Sequence, residues 1–248
     1  MASTFSPRPV WLRVSMVANN VKQVQARIRA AASRVGRDPK EIACMAVTKN
    51  FPPNSIREAY AAGLRLFGEN RVQEFAGKWA ALRDLPAAEW HMIGHLQTNK
   101  ASQAAELFAA IDSVDSLRLA EKLNLSARRI GRRLAVLLEI NLEHEAAKSG
   151  VAPESQELND LLGHAAEFDH LEFRGLMAIP LFAEDPEQAR PSFRRLRQLR
   201  DQIAARKLPS VGMRVLSMGM SHDFEVAIEE GSTCVRVGTA IFGERTKA

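Results

Sequence analysis

The sequence has few cysteines and no long apolar run. Its 248 residues include only Cys44 and Cys234, each inside an apolar stretch and without a C-x-x-C or other metal-ligand spacing. No apolar run approaches the roughly 20 residues that a bilayer span requires, and residues 1–13 lack the apolar segment of a secretory signal. We therefore exclude a disulfide scaffold and a transmembrane helix, and we predict a cytoplasmic protein with reduced thiols.

The sequence also lacks a large excess of one charge. It has 34 Lys and Arg residues against 29 Asp and Glu residues, a formal net charge of +5, and bases alternate with acids in most segments. The arginine-rich stretches 128–133 and 190–206 are most simply solvated helix faces. An RNA-binding module is therefore disfavoured and no nucleic-acid partner is predicted, although a small phosphate-bearing ligand remains compatible with this charge.

Short apolar segments alternate with helix-like patterns along the chain. Doubly wound sheets alternate in the same way, but eight strands in a chain of this length favour a single α/β TIM barrel, (β/α)8. The apolar spacing between Val17 and Val35 predicts an extra N-terminal helix. We assign residues 1–15 to an N-terminal extension and residues 16–248 to one barrel domain. The predicted strands are 42–47, 64–67, 90–94, 109–114, 134–142, 173–179, 215–220 and 233–242.

A single lysine, Lys49, stands at the carboxyl end of the first predicted strand and is followed by two prolines. In barrels and open α/β sheets, ligands bind at this end of the strands. An amine partly withdrawn from water there loses some of its preference for the charged form and is able to form a Schiff base with a carbonyl group. A strand-end lysine can also simply extend its ammonium into solvent, so position alone does not assign the chemistry.

An anion-binding pattern lies near the end of the seventh predicted strand. The segment L-S-M-G-M-S-H-D-F, residues 216–224, places Ser217 and Gly219 at the strand end and Ser221 at the predicted N-cap of the next helix. Backbone N–H groups at a helix start, two hydroxyls and a glycine that permits close approach form a cradle for a phosphate. Taken alone, the pattern also fits an ordinary turn.

The last predicted strand carries a second part of this cradle. The segment R-V-G-T, residues 236–239, places Arg236 and Thr239 on either side of Gly238. The loops after the last two strands are the usual phosphate site of such barrels, although an arginine in a strand can also pair with a carboxylate. Together with Lys49, the two segments describe a ligand with an aldehyde and a phosphate. Pyridoxal 5′-phosphate (PLP) has both groups and is the predicted cofactor.

Eight short motifs follow one another along nearly the whole chain, from about residue 17 to residue 245. Their order and separations resemble those of the pyridoxal phosphate homeostasis proteins, single-domain relatives of the alanine racemase barrel. The motifs are A-V-T-K at 46–49, F-G-E-N-R-V-Q-E at 67–74, W-H-M-I-G-H-L-Q-T-N-K at 90–100, V-D-S at 114–116, K-S-G at 148–150, R-G-L-M-A-I-P at 174–180, L-S-M-G-M-S at 216–221 and V-R-V-G-T-A-I-F-G-E-R at 235–245.

The resemblance implies a complete PLP site, and we predict no metal because the cysteines have no metal-ligand spacing around them. It implies that Lys49 forms the internal aldimine and that Arg236 faces the pyridine nitrogen, where its permanent charge makes the ring a poorer electron sink. It places Asn70 near the ring. Some members of the family carry a second lysine two residues after the first, where this chain has Phe51. The phosphate is implied to be held, largely through backbone N–H groups, by Ser217, Met218, Gly219, Gly238 and Thr239.

Two histidines and two aspartates are further candidates for proton transfer. His91 and His95 flank Gly94 at the end of the third predicted strand, and Asp112 and Asp115 lie near the end of the fourth. Neither histidine has a neighbouring carboxylate in the sequence to orient it, which favours a structural or solvent-facing role. Asp115 fits a helix cap equally well.

These features predict a PLP carrier rather than an enzyme. Racemases of this barrel class use a tyrosine from an additional β domain of a partner subunit, whereas this sequence ends after the eighth strand and its one tyrosine, Tyr60, falls in a predicted outer helix. The resemblance implies a protein that buffers PLP and passes it to PLP-dependent apoenzymes in vitamin B6 homeostasis, and we expect a monomer. The alternative is a weak PLP-dependent racemase or lyase that uses His95 or Asp112 as its other base.

Overall fold

The structure is a computed structural model that describes residues 15–143 and 149–244. The predicted N-terminal extension therefore lies outside the described residues, apart from Ser15. Lys148 and Arg245, which belong to two of the motifs above, also lie outside them.

A helix precedes the barrel, as predicted. This helix, α1, spans Met16–Arg34, and the Ser15 hydroxyl caps it by accepting a hydrogen bond from the Ala18 N–H. The Asn20 side chain donates to the carbonyl of Ile241 at 2.9 Å, which fastens α1 to the end of the barrel. Neither α1 nor any other helix in the described part of the chain is long and apolar enough to cross a bilayer.

Eight parallel strands close into one barrel, which confirms the predicted fold. The strands are β1 Ala43–Val47, β2 Leu66–Glu69, β3 Glu89–Met92, β4 Ala110–Val114, β5 Leu134–Ile140, β6 Leu171–Ala178, β7 Val211–Met220 and β8 Cys234–Val237. Closure is made by β1 and β8, which pair with Ala43 opposite Cys234 and Ala46 opposite Val237. Because all the strands are parallel, their carboxyl ends share one rim.

Seven helices form the outer ring of the described part of the chain, and a short eighth one, α9 Thr239–Phe242, follows β8 at the rim. The seven are α2 Pro53–Ala61, α3 Val72–Trp79, α4 Ala101–Leu107, α5 Leu117–Arg129, α6 Gln156–Gly163, α7 Arg190–Ala205 and α8 Phe224–Glu229. The main core lies between this ring and the strands. There Phe75 packs against Trp90 and Phe108 with ring centroids 4.7 and 4.9 Å away, and each fully buried ring contributes roughly 1.5–3 kcal/mol.

A smaller apolar cluster fills the middle of the barrel. Met45 and Met177 are fully buried in it, and Leu137 is 4% exposed. A Cβ added to Gly68 would lie 2.7 Å from the sulfur of Met45, so the glycine leaves room for that side chain. This packing separates a cavity at the amino ends of the strands from another at the carboxyl ends.

The last strand is shorter than the sequence pattern predicts. The apolar run predicts a strand over 233–242, but β8 ends at Val237, and α9 begins after Gly238. An apolar run of this length does not distinguish a strand from a buried helix. Here Ile241 is fully buried and the ring of Phe242 lies 4.7 Å from that of Phe51. The start of a short helix, and not a strand, therefore reaches the rim.

The arginine-rich helix α7 is partly neutralised by carboxylates. Arg190, Arg194 and Arg197 each lie within ion-pair distance of Glu230, at 3.1, 3.0 and 3.3 Å. Their charges are therefore directed at the neighbouring helix α8 and its end.

Candidate functional site

A cavity of about 370 Å³ opens at the carboxyl-end rim of the barrel. Five of the eight predicted site residues line it, namely Lys49, Asn70, Arg236, Gly238 and Thr239. Lys49 follows β1 and Asn70 follows β2, whereas the other three belong to β8 or follow it. The closed barrel thus brings residues from both ends of the chain into one site.

The other three predicted residues, Ser217, Met218 and Gly219, are not among the residues that line this cavity. Ser217 and Met218 are fully buried, and the Ser217 hydroxyl accepts a hydrogen bond from Arg236 Nη1 at 2.7 Å. Gly219 has a φ of +92°, and a Cβ there would lie 2.5 Å from the Cβ of Ala227. Ser217 therefore supports Arg236, and Gly219 lets β7 pack closely against α8.

Ser221 takes a different position from the predicted one. It lines the cavity, but it does not cap α8, whose N-cap is Asp223. The Ser221 hydroxyl instead accepts hydrogen bonds from the backbone N–H groups of Gly238 and Ala240, at 3.1 and 3.2 Å. The Ser221 hydroxyl accepts both contacts through its oxygen and keeps its own hydrogen as a donor, at the end of the cavity lined by Gly238 and Thr239. A hydroxyl donor in this position suits a phosphate.

Lys49 lies on the connection between β1 and α2. The N–H of Phe51 donates to the carbonyl of Thr48 at 3.1 Å and closes a tight turn around the lysine. Asn50 has a φ of +63°, a left-handed conformation that asparagine adopts more readily than most residues. This turn fixes the direction in which the partly exposed Lys49 leaves the backbone.

A charged network behind the cavity holds this turn in place. Lys78 Nζ donates to the carbonyl of Thr48 at 2.9 Å, to Glu69 Oε1 at 2.9 Å and to Glu74 Oε1 at 2.6 Å. Glu69 Oε1 also accepts from the Thr48 hydroxyl, and Glu74 Oε1 accepts from the N–H of Asn50. Burial raises the pKa of Glu69 above its ordinary value, although its contacts with Thr48 and Lys78 oppose this. The network holds the residues on both sides of the cavity lysine.

Arg236 is the cationic group at the floor of the cavity. It is 3% exposed, and its donors reach Ser217 Oγ at 2.7 Å and the carbonyl of Ala178 at 2.8 Å. Burial lowers the pKa of its guanidinium from the ordinary value, yet an arginine keeps its charge in proteins. The cavity therefore has a permanent positive charge in a fixed position.

Asn70 carries a buried acceptor without a partner. Its side-chain oxygen is buried and makes no hydrogen bond within the described part of the chain. A Cβ on Gly94 would lie 2.4 Å from the carbonyl oxygen of Asn70, so the glycine allows the end of β3 to pack against it. Because an unpaired buried acceptor costs about 1–3 kcal/mol, this oxygen indicates a ligand with a donor in the cavity.

His91 pairs with Asp112 at the opposite end of the barrel. Its Nδ1 lies 3.0 Å from Asp112 Oδ1, and both residues line a cavity of about 440 Å³ with Ala43 and Leu66 at the amino ends of the strands. Burial lowers the pKa of His91, but Asp112 and Glu89 together raise it by more, so the net pKa is above the ordinary value. Neither residue belongs to the cavity that contains Lys49, so Asp112 does not supply a second base there.

His95 pairs with Asp115 on the same side of the barrel as Lys49. The His95 Nδ1 to Asp115 Oδ2 distance is 3.1 Å, and the His95 side chain is 56% exposed. The sequence places no carboxylate beside either histidine, but neighbouring parallel strands bring together residues about 20 positions apart. Both histidines are thus oriented by carboxylates that do not adjoin them in the sequence.

Glu139 is a buried carboxyl group that the sequence patterns do not reveal. It lies on the inner face of β5 and is 7% exposed. One of its carboxylate oxygens has no hydrogen-bond partner among residues 15–143 and 149–244. Burial raises its pKa to about 7, and Asp115 acts in the same direction, while Arg236 and His95 oppose it.

The raised pKa of Glu139 predicts a pH-dependent stability. Folding lifts this pKa from an ordinary 4.5 to about 7, so the folded state binds a proton that the unfolded state has lost between these values. Stability therefore falls as the pH rises through this range, by about 3 kcal/mol in total. Relative to wild type, Glu139→Gln is expected to gain about 3 kcal/mol between pH 4.5 and pH 8. Urea denaturation at both pH values measures this gain.

The exposed Glu157 at the start of α6 provides the matched control. Glu157→Gln is expected to follow wild type at both pH values. A Glu139→Gln variant whose difference from wild type does not change with pH would show that Glu139 is ionised in the folded protein as readily as in the unfolded chain.

Comparisons with known sequences relate the chain to proteins of one description. Residues 19–246 match the family model described as alanine racemase, N-terminal domain. The chain is 45% identical over 225 residues to the pyridoxal phosphate homeostasis protein of Aquifex aeolicus. The aligned region covers 91% of this chain and 96% of that protein. It is also 45% identical over 232 residues to the protein of the same name from Pseudomonas aeruginosa, covering 94% of this chain and 97% of that protein.

Solved structures extend the comparison. PipY of Synechococcus elongatus, solved with PLP bound, matches with a TM-score of 0.80 and 37% identity over 92% of this chain and 100% of that chain. Alanine racemase from Streptomyces coelicolor matches with a TM-score of 0.67 over 91% of this chain and 59% of that chain. At 20% identity, the second match shows a shared fold alone.

Proposed function

This chain belongs to the pyridoxal phosphate homeostasis protein family, and from this premise we propose that it binds PLP through Lys49 and holds it in reserve in vitamin B6 homeostasis. The observation that carries the proposal is one cavity lined by a primary amine, a fixed guanidinium and the Ser221 hydroxyl beside Gly238 and Thr239. PLP, when bound, supplies an aldehyde that condenses with a primary amine to form a Schiff base.

The groups in the cavity fit the two ends of PLP. Lys49 is the amine that we propose holds the aldehyde carbon. At the phosphate end, we propose the Ser221 hydroxyl and the backbone N–H of Thr239 as donors. Gly238 lines the same end, and its N–H orients the Ser221 hydroxyl by donating to its oxygen. The unpartnered oxygen of Asn70 suits a hydroxyl of the ring. In this proposal, the residues that lie behind the cavity lining hold the lining in place and do not contact PLP. They are Ser217, Met218 and Gly219.

We propose that Arg236 faces the pyridine nitrogen of bound PLP, and this role favours a holder over an enzyme. A permanent charge facing the pyridine nitrogen disfavours a proton on that nitrogen, so the ring withdraws electrons less well than it does beside a carboxylate. Tyr60 lies on the outer helix α2, where its hydroxyl donates to the carbonyl of Pro86 at 2.6 Å. In this proposal, the protein works as a cytoplasmic monomer, does not turn over a substrate and passes PLP to dependent apoenzymes.

The proposal is tested by loading the purified protein with PLP and treating it with borohydride. Peptide mass mapping is expected to find one phosphopyridoxyl group per chain, on the peptide that contains Lys49. Label spread over several surface lysines would contradict a dedicated site. Solvent deuterium exchange at the Cα of an amino acid, lost on Lys49→Ala, would instead favour a PLP-dependent racemase or lyase that uses His95.

A further inference from the structure

A second cavity lies beside the one that contains Lys49. Its volume is about 300 Å³, and Glu139 and His95 line it. It shares Ile93, Gly94 and Ile179 with the first cavity. Because the two cavities have these wall residues in common, a small molecule in the second would lie next to whatever occupies the first. None of the residues proposed to contact PLP lines this second cavity.

Glu139 gives the second cavity its chemical character. The side chain is 93% buried, since its exposure is 7%, and one carboxylate oxygen has no hydrogen-bond partner in the described part of the chain. A buried carboxylate oxygen without a partner is costly, and a hydrogen bond to it is stabilising. The cavity is therefore suited to a ligand that brings hydrogen-bond donors to Glu139.

The surrounding charges favour a cationic donor. Asp115 acts on Glu139 as a second negative charge, and it also accepts from His95. The nearby cation Arg236 directs its donors to Ser217 and Ala178 and does not form an ion pair with Glu139. A metal ion does not fit, because no group of three or more His, Cys, Asp or Glu residues within residues 15–143 and 149–244 could hold one.

We propose that the second cavity binds the ammonium group of a small primary amine, with Glu139 as its acceptor. A primary ammonium has three donors and a compact positive charge, which suits one buried carboxylate with a second carboxylate nearby. The inference rests on the proposed function, because an amine held here stands beside an aldehyde-bearing cofactor at Lys49. The inference adds to that function a binding site for small primary amines, the class of molecule that can replace a lysine amine in a Schiff base.

The test measures binding of propylamine hydrochloride to the 15N-labelled protein at pH 8 by amide chemical shifts, with and without PLP. We expect saturable binding in the millimolar range, with the largest shifts at residues 94 and 139. Propionate, an anion of the same length, is expected not to bind. Glu139→Gln is expected to weaken propylamine binding about tenfold, whereas the exposed-site control Glu157→Gln is expected to bind as wild type does.

The outcomes distinguish a failure of the amine site from a failure of the proposed PLP-binding function. Propylamine binding that is equal in wild type and Glu139→Gln, or wild-type shifts that map away from residues 94 and 139, would overturn the amine site. The wild-type shifts decide this even if the variant does not fold. PLP loading is measured on the same samples. If wild type binds PLP but not propylamine, the amine site alone is wrong. If wild type does not bind PLP, the proposed function fails.

Discussion

Replacing Lys49 with alanine is expected to abolish the borohydride-stable attachment of PLP while the barrel stays folded. Lys49 is the only primary amine that lines the rim cavity among the described residues, so no other group there is able to replace it. It lies beyond the end of β1, outside the apolar cluster that fills the barrel. Since Lys49 is partly exposed, its replacement is expected to cost no more than about 1 kcal/mol, which is roughly 2–4 °C in the melting temperature of a chain of this size.

Trapping with borohydride, followed by intact mass, measures the attachment, and circular dichroism measures the fold. The control is Lys22→Ala, which removes an exposed lysine from α1. This variant is expected to trap PLP as wild type does. A Lys49→Ala protein that melts many degrees lower would show that the site and the packed core are not separate. A variant that still traps one PLP would assign the cofactor to another lysine.

The sequence predicts the barrel well because the barrel consists of one unit, a strand followed by a helix, that recurs eight times along the chain. Each of the eight strands has its own apolar run, and an error in one run does not change the count. The error at 233–242 shows what such a pattern cannot resolve. The side chains of Ile241 and Phe242 are buried whether the backbone is extended or helical, so burial alone does not set the backbone conformation.

The site is predicted less completely because it depends on local backbone geometry. Strict alternation along β7 would place Ser217, Gly219 and Ser221 on one face. Gly219 instead has a φ of +92°, and the pairing of β7 with β8 shifts register between Ser217 and Met220. Ser217 is therefore buried behind Arg236, whereas Ser221 reaches the cavity. A left-handed glycine is visible only in the structure.

The role of Glu139 as a buried carboxyl group inside the barrel is not predictable from the sequence, for a related reason. Strands of a parallel barrel are covered on both faces, so their apolar runs do not alternate and do not indicate which side faces inward. All seven residues of β5 are buried, and Glu139 is the one acidic residue among them. Its inward direction and its missing partner follow only from the register of the closed barrel. The same register brings His91 beside Asp112.

The second large effect is expected from Lys78→Met, through the network behind Lys49. Methionine keeps most of the length of the side chain but removes the ammonium that contacts Glu69, Glu74 and the carbonyl of Thr48. The Lys78 side chain is only 11% exposed and that of Glu69 is 0% exposed. Removing one partner of a buried ion pair costs about 3–5 kcal/mol because the other charge stays buried. Urea denaturation is expected to show a loss of this size.

The pH dependence identifies the cause of that loss. Burial already raises the pKa of Glu69, and without the Lys78 ammonium this pKa rises further. Because a carboxyl group with a raised pKa destabilises the folded state above its unfolded pKa, the loss is expected to be largest near pH 8 and to shrink toward pH 5 as Glu69 takes up a proton. Lys22→Met, at the exposed α1 position, controls for the loss of a lysine charge. A loss that is equal at both pH values would mean that Lys78 acts by packing, and then the turn that carries Lys49 would not depend on its charge.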